Sequence, residues 1–214
     1  MKVVVVGDTH FGATFGLGKS NSKGGNTRID DYEKTFDFIS EYCIEEKVDV
    51  LIQTGDLFES RNPDPVSLMV ADRAFRKLSA NGIATFVIMG NHDYKRFPGG
   101  FSSSLEVLPA NNYEKIRLLI TPQHVEVSVG EESINFVLLP FQDKKTYIGM
   151  NAEEASLAFE GDIKNIIGSI KNESPRIVVG HNFFYEGSYN IYGGSEILIN
   201  PDIFEDCNVV FMGH

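Results

Sequence analysis

The chain has 214 residues, 42% of them hydrophobic, and a formal net charge of −11. That length suits one large domain, and the apolar fraction supports a packed core and excludes wholesale disorder. The acidity argues against a grip on nucleic acid by bulk electrostatics.

No apolar run approaches the ~20 residues a spanning helix requires, and no signal-like segment follows Met1-Lys2, so no membrane association is expected and the expected location is the cytoplasm. Val3–Val6, four β-branched residues closed by Gly7, reads as a buried strand. The polar segment Phe11–Thr27, with Gly12, Gly16, Gly18, Gly24 and Gly25, reads as a long ordered loop over a functional edge. Asp30 or Asp31 can cap a helix reaching Lys47, with Phe36, Ile39, Cys43 and Ile44 on one face. Val50–Gln53 is the next strand. Asp64-Pro65, a cap followed by a first-turn proline, predicts a helix to Ala80 that Asn81-Gly82 ends.

Ala84–Met89 reads as a third strand. Val125–Val129 and Ile134–Leu139 flank Gly130-Glu131-Glu132 and predict a hairpin. Ala152–Ile170 fits a helix, and Ile177–Val179 and Val209–Met212 fit strands. The alternation predicts an α/β fold, and the hairpin makes the sheets mixed. Cys43 and Cys207 read as small core hydrophobes. His124 opens a strand and reads as structural, and Ser102–Ser104 as a loop and helix cap.

Five of the apolar strands end in a glycine-bearing polar cluster: Gly7-Asp8-Thr9-His10, Gly55-Asp56, Gly90-Asn91-His92-Asp93, Gly180-His181-Asn182 and Gly213-His214. One Asp or His after a strand is an ordinary turn former. Five such ends selecting Asp, His and Asn are not ordinary. Ligands bind beyond the carboxyl ends of strands in open α/β sheets, and glycine lets the backbone turn sharply there. Hard carboxylates, an amide and neutral imidazoles suit Mn, Fe or Zn. A shared carboxylate could hold two cations ~3.5–4 Å apart, the spacing of two-metal phosphoryl chemistry.

This ordered series resembles the calcineurin-like metallophosphoesterases across the whole chain, and within them the SbcD-type nuclease subunit of double-strand-break processing complexes. Asp8-Thr9-His10-Phe11-Gly12, Gly55-Asp56-Leu57-Phe58 with Asn62-Pro63 after it, and the aspartate closing Gly90-Asn91-His92-Asp93 carry the closer likeness. The resemblance implies a four-layer αββα sandwich of two mixed sheets and two divalent ions, Mn²⁺ first among the candidates. It implies that Asp8 and His10 bind one metal, that Asp56 bridges both, and that Asn91, His181 and His214 bind the other. His92 would donate a proton at the leaving oxygen, with Asp93 orienting it, and metal-activated water would attack a phosphodiester in line. It further implies DNA as substrate, an SbcC-like SMC-type ATPase as partner, and a homodimer.

The family's last motif is Gly-His-x-His, of which this sequence carries Gly213-His214. The expectation is therefore a nuclease domain over 1–214 cut within that motif, without the capping domain and ATPase-binding tail. Some relatives have a histidine where Glu59 stands, which puts an auxiliary role for that position in doubt. Lys95, Arg96 and Arg61 are candidate phosphate contacts, with Lys19, Lys23 and Arg28 placed in the first loop. Phe183, Phe184, Tyr185, Tyr189 and Tyr192 read as packing beneath the last strand, with base stacking the alternative. Two other functions stay open: a phosphatase or phosphodiesterase of nucleotides and small phosphoesters, and a non-catalytic scaffold.

Overall fold

The computed structural model describes residues 1–22, 26–97, 100–184 and 197–214. The chain forms two compact units, Met1–Leu118 and Leu119–His214. Along the first run β1 (Val3–Val6), α1 (Thr27–Glu45), β2 (Val50–Gln53), α2 (Pro65–Ala80), β3 (Ala84–Ile88), β4 (Tyr94–Phe97), β5 (Gly100–Ser103), α3 (Val107–Ala110) and β6 (Ile116–Leu119). β1, β2 and β3 are parallel, with Val3 opposite Val50 and Val50 opposite Ala84, in the sheet order β1-β2-β3-β6. β2 is buried along its whole length because it has neighbours on both sides. β1 is half-buried rather than buried, because it forms the edge of that sheet.

α1 begins before the expected start. Asn26 is its cap, its side-chain oxygen accepting the Arg28 amide at 2.9 Å, so Asp30 falls in the first turn, where a negative charge favours the helix dipole. Arg28 accordingly belongs to the helix rather than the loop, and it pairs with Asp31. α2 follows the sequence closely. The Asp64 carboxylate accepts the amides of Val66 (2.9 Å) and Ser67 (3.1 Å), and Val70, Ala71, Ala74, Phe75 and Leu78 make one buried stripe. Phe75 meets Phe36 of α1, ring centroids 6.2 Å apart. Asp64→Ala orphans both amides and should lower stability by about 1–2 kcal/mol, read as a shift in the urea midpoint.

Three strands of the first unit escaped the sequence reading. β4 and β5 form an antiparallel pair, and β6 joins the sheet edge. The β4 and β5 segments mix charged, serine and glycine residues and show no apolar run, while β6 (Ile-Arg-Leu-Leu) is mostly apolar but only four residues long. Ser102 and Ser103 lie in β5, and Ser103 also caps the following turn, its hydroxyl accepting the Leu105 amide.

The second unit runs β7 (Gln123–Val129), β8 (Glu132–Leu139), α4 (Ala152–Ser169), β9 (Arg176–His181), β10 (Phe183–Phe184), β11 (Leu198–Ile199) and β12 (Val209–Gly213). Its main sheet has the order β12-β9-β8-β7. β12, β9 and β8 are parallel, and β7 is antiparallel to β8, so the sheet is mixed. The hairpin turn is Gly130-Glu131, and β10 pairs with β11. Asn151 and Glu154 form a reciprocal cap on α4, whose Ala155, Phe159, Ile163 and Ile167 pack with Val137, Leu139 and Val178.

Both cysteines are free: Cys43 is buried, and Cys207 sits against the second unit's core. His124 is structural, its Nε2 at 2.8 Å from the Asn135 side-chain oxygen. Among the described residues no helix is long and apolar enough to cross a membrane.

Candidate metal centre

Three of the five clusters follow β1, β2 and β3. Because these strands are parallel, their carboxyl ends share one edge of the first unit. The loops after β1 and β2 go on bonding past the strands: His10 N–H to the Asp56 carbonyl (2.9 Å), Phe11 N–H to Leu57 (2.8 Å), and Glu59 N–H back to Phe11 (3.0 Å). Phe11 and Phe58 are buried and anchor the two loops. Asp8, His10 and Asp56 all have positive φ (40°, 45° and 51°), a left-handed backbone that costs energy for residues with a Cβ. The result is a tight constellation. One potential ligand atom from each of the three lies within 4.8 Å of the others. His10 Nε2 is 3.7 Å from Asp56 Oδ2.

The loop after β3 closes on the same place. A Cβ at Gly90 would stand 2.2 Å from both the backbone nitrogen and Oδ1 of Asp56, so only glycine fits. His92 N–H donates to Asp56 Oδ1 at 2.8 Å, and Asn91 lies half-buried between these residues. Asp93 is fully buried, and its carboxylate accepts three backbone N–H groups: Gly90 (2.9 Å), Phe58 (3.2 Å) and Leu57 (3.3 Å). Burial drives its pKa up to about 6, the backbone donors of Gly90 and Phe58 oppose the rise, and the Asp56 charge adds to it.

The expectation that Asp93 orients the His92 ring is therefore corrected. The partner of His92 Nδ1 is the Glu59 carbonyl at 2.7 Å, while the Asp93 carboxylate is engaged in tying two loops together. Glu59 is the residue that sequence reasoning discounted. Its Oε2 lies 2.9 Å from His10 Nδ1, and His10, Glu59 and His92 form a second group with ligand atoms within 4.8 Å. The His10 and His92 rings meet edge to face at 5.1 Å. The only hint in the sequence was a carboxylate placed just past Asp56.

The other two clusters lie in the second unit. His181 ends β9, His214 follows β12, and the pairing of Gly213 with His181 puts the two imidazoles side by side, centroids 4.8 Å apart. Phe141 and Phe183 flank His214 at 5.4 and 4.0 Å. A Cβ at Gly180 would press on Met212 and Leu139 at 2.9 and 3.0 Å. Asn182 is structural: its oxygen accepts the Gln142 amide at 3.2 Å.

Lys95 and Arg96 are exposed on β4, with the Arg96 guanidinium 5.7 Å from the Tyr94 ring centre, and Arg61 is exposed after β2. Phe184 packs on Phe204. Lys23, Gly24, Gly25, Tyr185, Tyr189 and Tyr192 lie outside the described residues.

The sequence profile of the calcineurin-like phosphoesterases matches residues 1–214. The chain belongs to that family. It is a metallophosphoesterase, and the family is binuclear and metal-dependent. It is 26% identical over 157 residues to the DNA double-strand break repair protein Mre11 of Methanocaldococcus jannaschii, covering 72% of this chain and 38% of that protein. It is 25% identical over 224 residues to the protein of the same name from Sulfurisphaera tokodaii, covering 96% of this chain and 55% of that one. The chain thus spans about 38–55% of the length of these relatives.

Among solved structures, TT1561 of Thermus thermophilus aligns with a TM-score of 0.55 at 12% identity, over 98% of this chain and 80% of that one. The fold is thus the mixed α/β fold of metallophosphoesterases, with several sheets and no closed barrel among the described residues.

The residues present fit metal ions. Carboxylates and imidazoles crowd together, and His10 Nδ1 is buried beside a carboxylate oxygen without an aligned hydrogen bond. A Mn, Fe or Zn ion suits such donors.

Proposed function

We propose that residues 1–214 form the catalytic domain of a metal-dependent DNA exonuclease and endonuclease, working in the cytoplasm with an SbcC-like ATPase in DNA end processing, recombination and repair. The observation that carries the chemistry is the Asp8–His10–Asp56 constellation at the carboxyl edge of a parallel sheet. The likeness to the two Mre11 proteins supports DNA as the substrate. Asp8, His10, Asp56 and Asn91 serve as ligands in the first unit, and His181 and His214 serve as ligands in the second. Two divalent ions, Mn²⁺ by preference, would supply an activated water and neutralise charge growing on the phosphoryl oxygens.

The chain's own residues do the rest. Asp56 Oδ1 holds the His92 backbone while Oδ2 faces His10, so one carboxylate fixes both loops. The Glu59 carbonyl accepts from His92 Nδ1, so the ring donates from Nε2 as the imidazolium, giving that second proton to the departing sugar oxygen and returning to the neutral Nδ1–H form. Lys95, Arg96 and Arg61 steer the phosphate backbone from the surface, and the active form is a homodimer. No catalytic nucleophile on the chain is required.

The test pairs linear duplex DNA with cyclic nucleotides and simple phosphoesters, each with Mn²⁺ and with chelator. Mn²⁺-dependent shortening of duplex ends is expected. Turnover of the small phosphoesters alone would favour the second reading, to which the net charge of −11 lends weight.

A further inference from the structure

A carboxylate faces each ring nitrogen of His10. Glu59 Oε2 lies 2.9 Å from Nδ1, inside hydrogen-bonding distance, and Asp56 Oδ2 lies 3.7 Å from Nε2, outside it. Attraction between a proton and a carboxylate falls with separation, so the nearer oxygen wins. The Nδ1 contact is out of strict hydrogen-bond alignment, so Glu59 acts on the ring mainly through its charge. Asp8 stands in the same group as His10 and Asp56, its ligand atom within 4.8 Å of theirs. His92 meets His10 edge on and is itself held by the Glu59 carbonyl.

We propose that the Glu59 carboxylate is a positioning residue that keeps the His10 proton on Nδ1 and leaves the Nε2 lone pair to a cation beside Asp56. This is the carboxylate–histidine–metal arrangement that fixes a ligand's tautomer. The role given to Nε2 rests on the metal-dependent reading above; the position of the proton does not.

The test has two arms. In the first, two-bond proton–nitrogen spectra of the ¹⁵N-labelled, metal-free chain identify the protonated nitrogen of each histidine. They are taken in a pH series rising from roughly pH 8, and the tautomer is read where His10 carries a single ring proton. His10 is assigned from the signal lost in His10→Gln. The wild-type chain should show His10 with its proton on Nδ1. Glu59→Ala should move it toward Nε2, where Asp56 becomes the nearest carboxylate, and Glu59→Gln, which keeps an acceptor, should fall between. His92 should not change in either variant, because its partner is a backbone carbonyl, and that constancy reports an intact fold. A wild-type proton on Nε2, or no movement in Glu59→Ala, overturns the proposal.

In the second arm, Co²⁺ is titrated into the same proteins and followed by its visible spectrum. One Co²⁺ site in Glu59→Ala should weaken by about 10–100-fold with the saturated spectrum unchanged. A saturated spectrum altered in that variant overturns the proposal by placing Glu59 on the ion itself. Absence of Co²⁺ binding to the wild-type chain overturns the metal-dependent reading and the role of Nε2 with it, while the proton assignment is decided by the first arm.

Discussion

Asp93→Ala should cost the metal-free protein roughly 3 kcal/mol or more, because it strips the acceptor from three backbone amides at a buried position. Each buried donor left without a partner costs about 1–3 kcal/mol, and the three lie close enough together that their costs will not simply add. Asp93→Asn keeps one acceptor oxygen and should recover part of the loss. Urea denaturation in chelator measures all three proteins.

The same carboxyl gives stability a pH slope of definite sign. Its pKa is about 6 in the folded chain, against 3.8 for an ordinary aspartate, with burial as the main cause. Between those values the folded state holds a proton that the unfolded state has released. Stability is therefore highest below the lower value, falls as pH rises through the window, and levels off above about 6. The drop is on the order of 3 kcal/mol. Other groups titrate in the same range, so the quantity to read is the wild-type curve minus the Asp93→Asn curve. A difference that stays flat from pH 4 to pH 6 would show that Asp93 does not titrate there.

Asp56→Asn should reduce Mn²⁺-dependent phosphodiester hydrolysis by at least about 10³-fold while leaving the urea midpoint nearly unchanged. Asparagine is the informative replacement. It tolerates the left-handed backbone that Asp56 adopts, and its carbonyl can still accept the His92 amide. What it removes is the negative charge that would hold two cations, and metal ions contribute several kcal/mol to phosphoryl transition states. Hydrolysis of bis-p-nitrophenyl phosphate, compared at saturating Mn²⁺, gives the ratio. Activity within tenfold of the wild type would remove Asp56 from the catalytic set.

The sequence was most legible where a local rule carries its own physics. Asp64-Pro65 and Asn81-Gly82 marked both ends of α2, and Gly130-Glu131 marked the hairpin. The strand ends were legible for the same reason, since short β-branched runs stop at a glycine and a polar group. α1 was misplaced at its start because Asn26, Asp30 and Asp31 are all competent caps, and Asn26 is held at the helix start by bonds to the preceding loop, its side-chain amide donating to the Leu17 carbonyl and Thr27 N–H to Lys19. β4 and β5 carry charged, serine and glycine residues with no apolar pattern, and β6 is a four-residue apolar stretch whose place at the sheet edge depends on a pairing that its own residues do not signal.

In the site, residue types pointed to Asp8, His10 and Asp56, yet nothing in one dimension could show that Glu59 touches His10 or that Asp93 faces backbone rather than a ring. The first depends on the backbone bonds that join the loops after β1 and β2, and the second on Gly90, whose missing Cβ lets the third loop press on the second.

Asp8, His10 and Asp56 hold their side chains out from a backbone that glycine would occupy more comfortably. Glycine would relieve that strain at Asp8 and His10 while removing side chains proposed to hold the cations, and at Asp56 it would also strip the acceptor from the His92 amide. Heat tolerance and turnover therefore pull on the same few torsion angles, so engineering of this protein for durability belongs in its helices, away from the loops that follow β1 and β2.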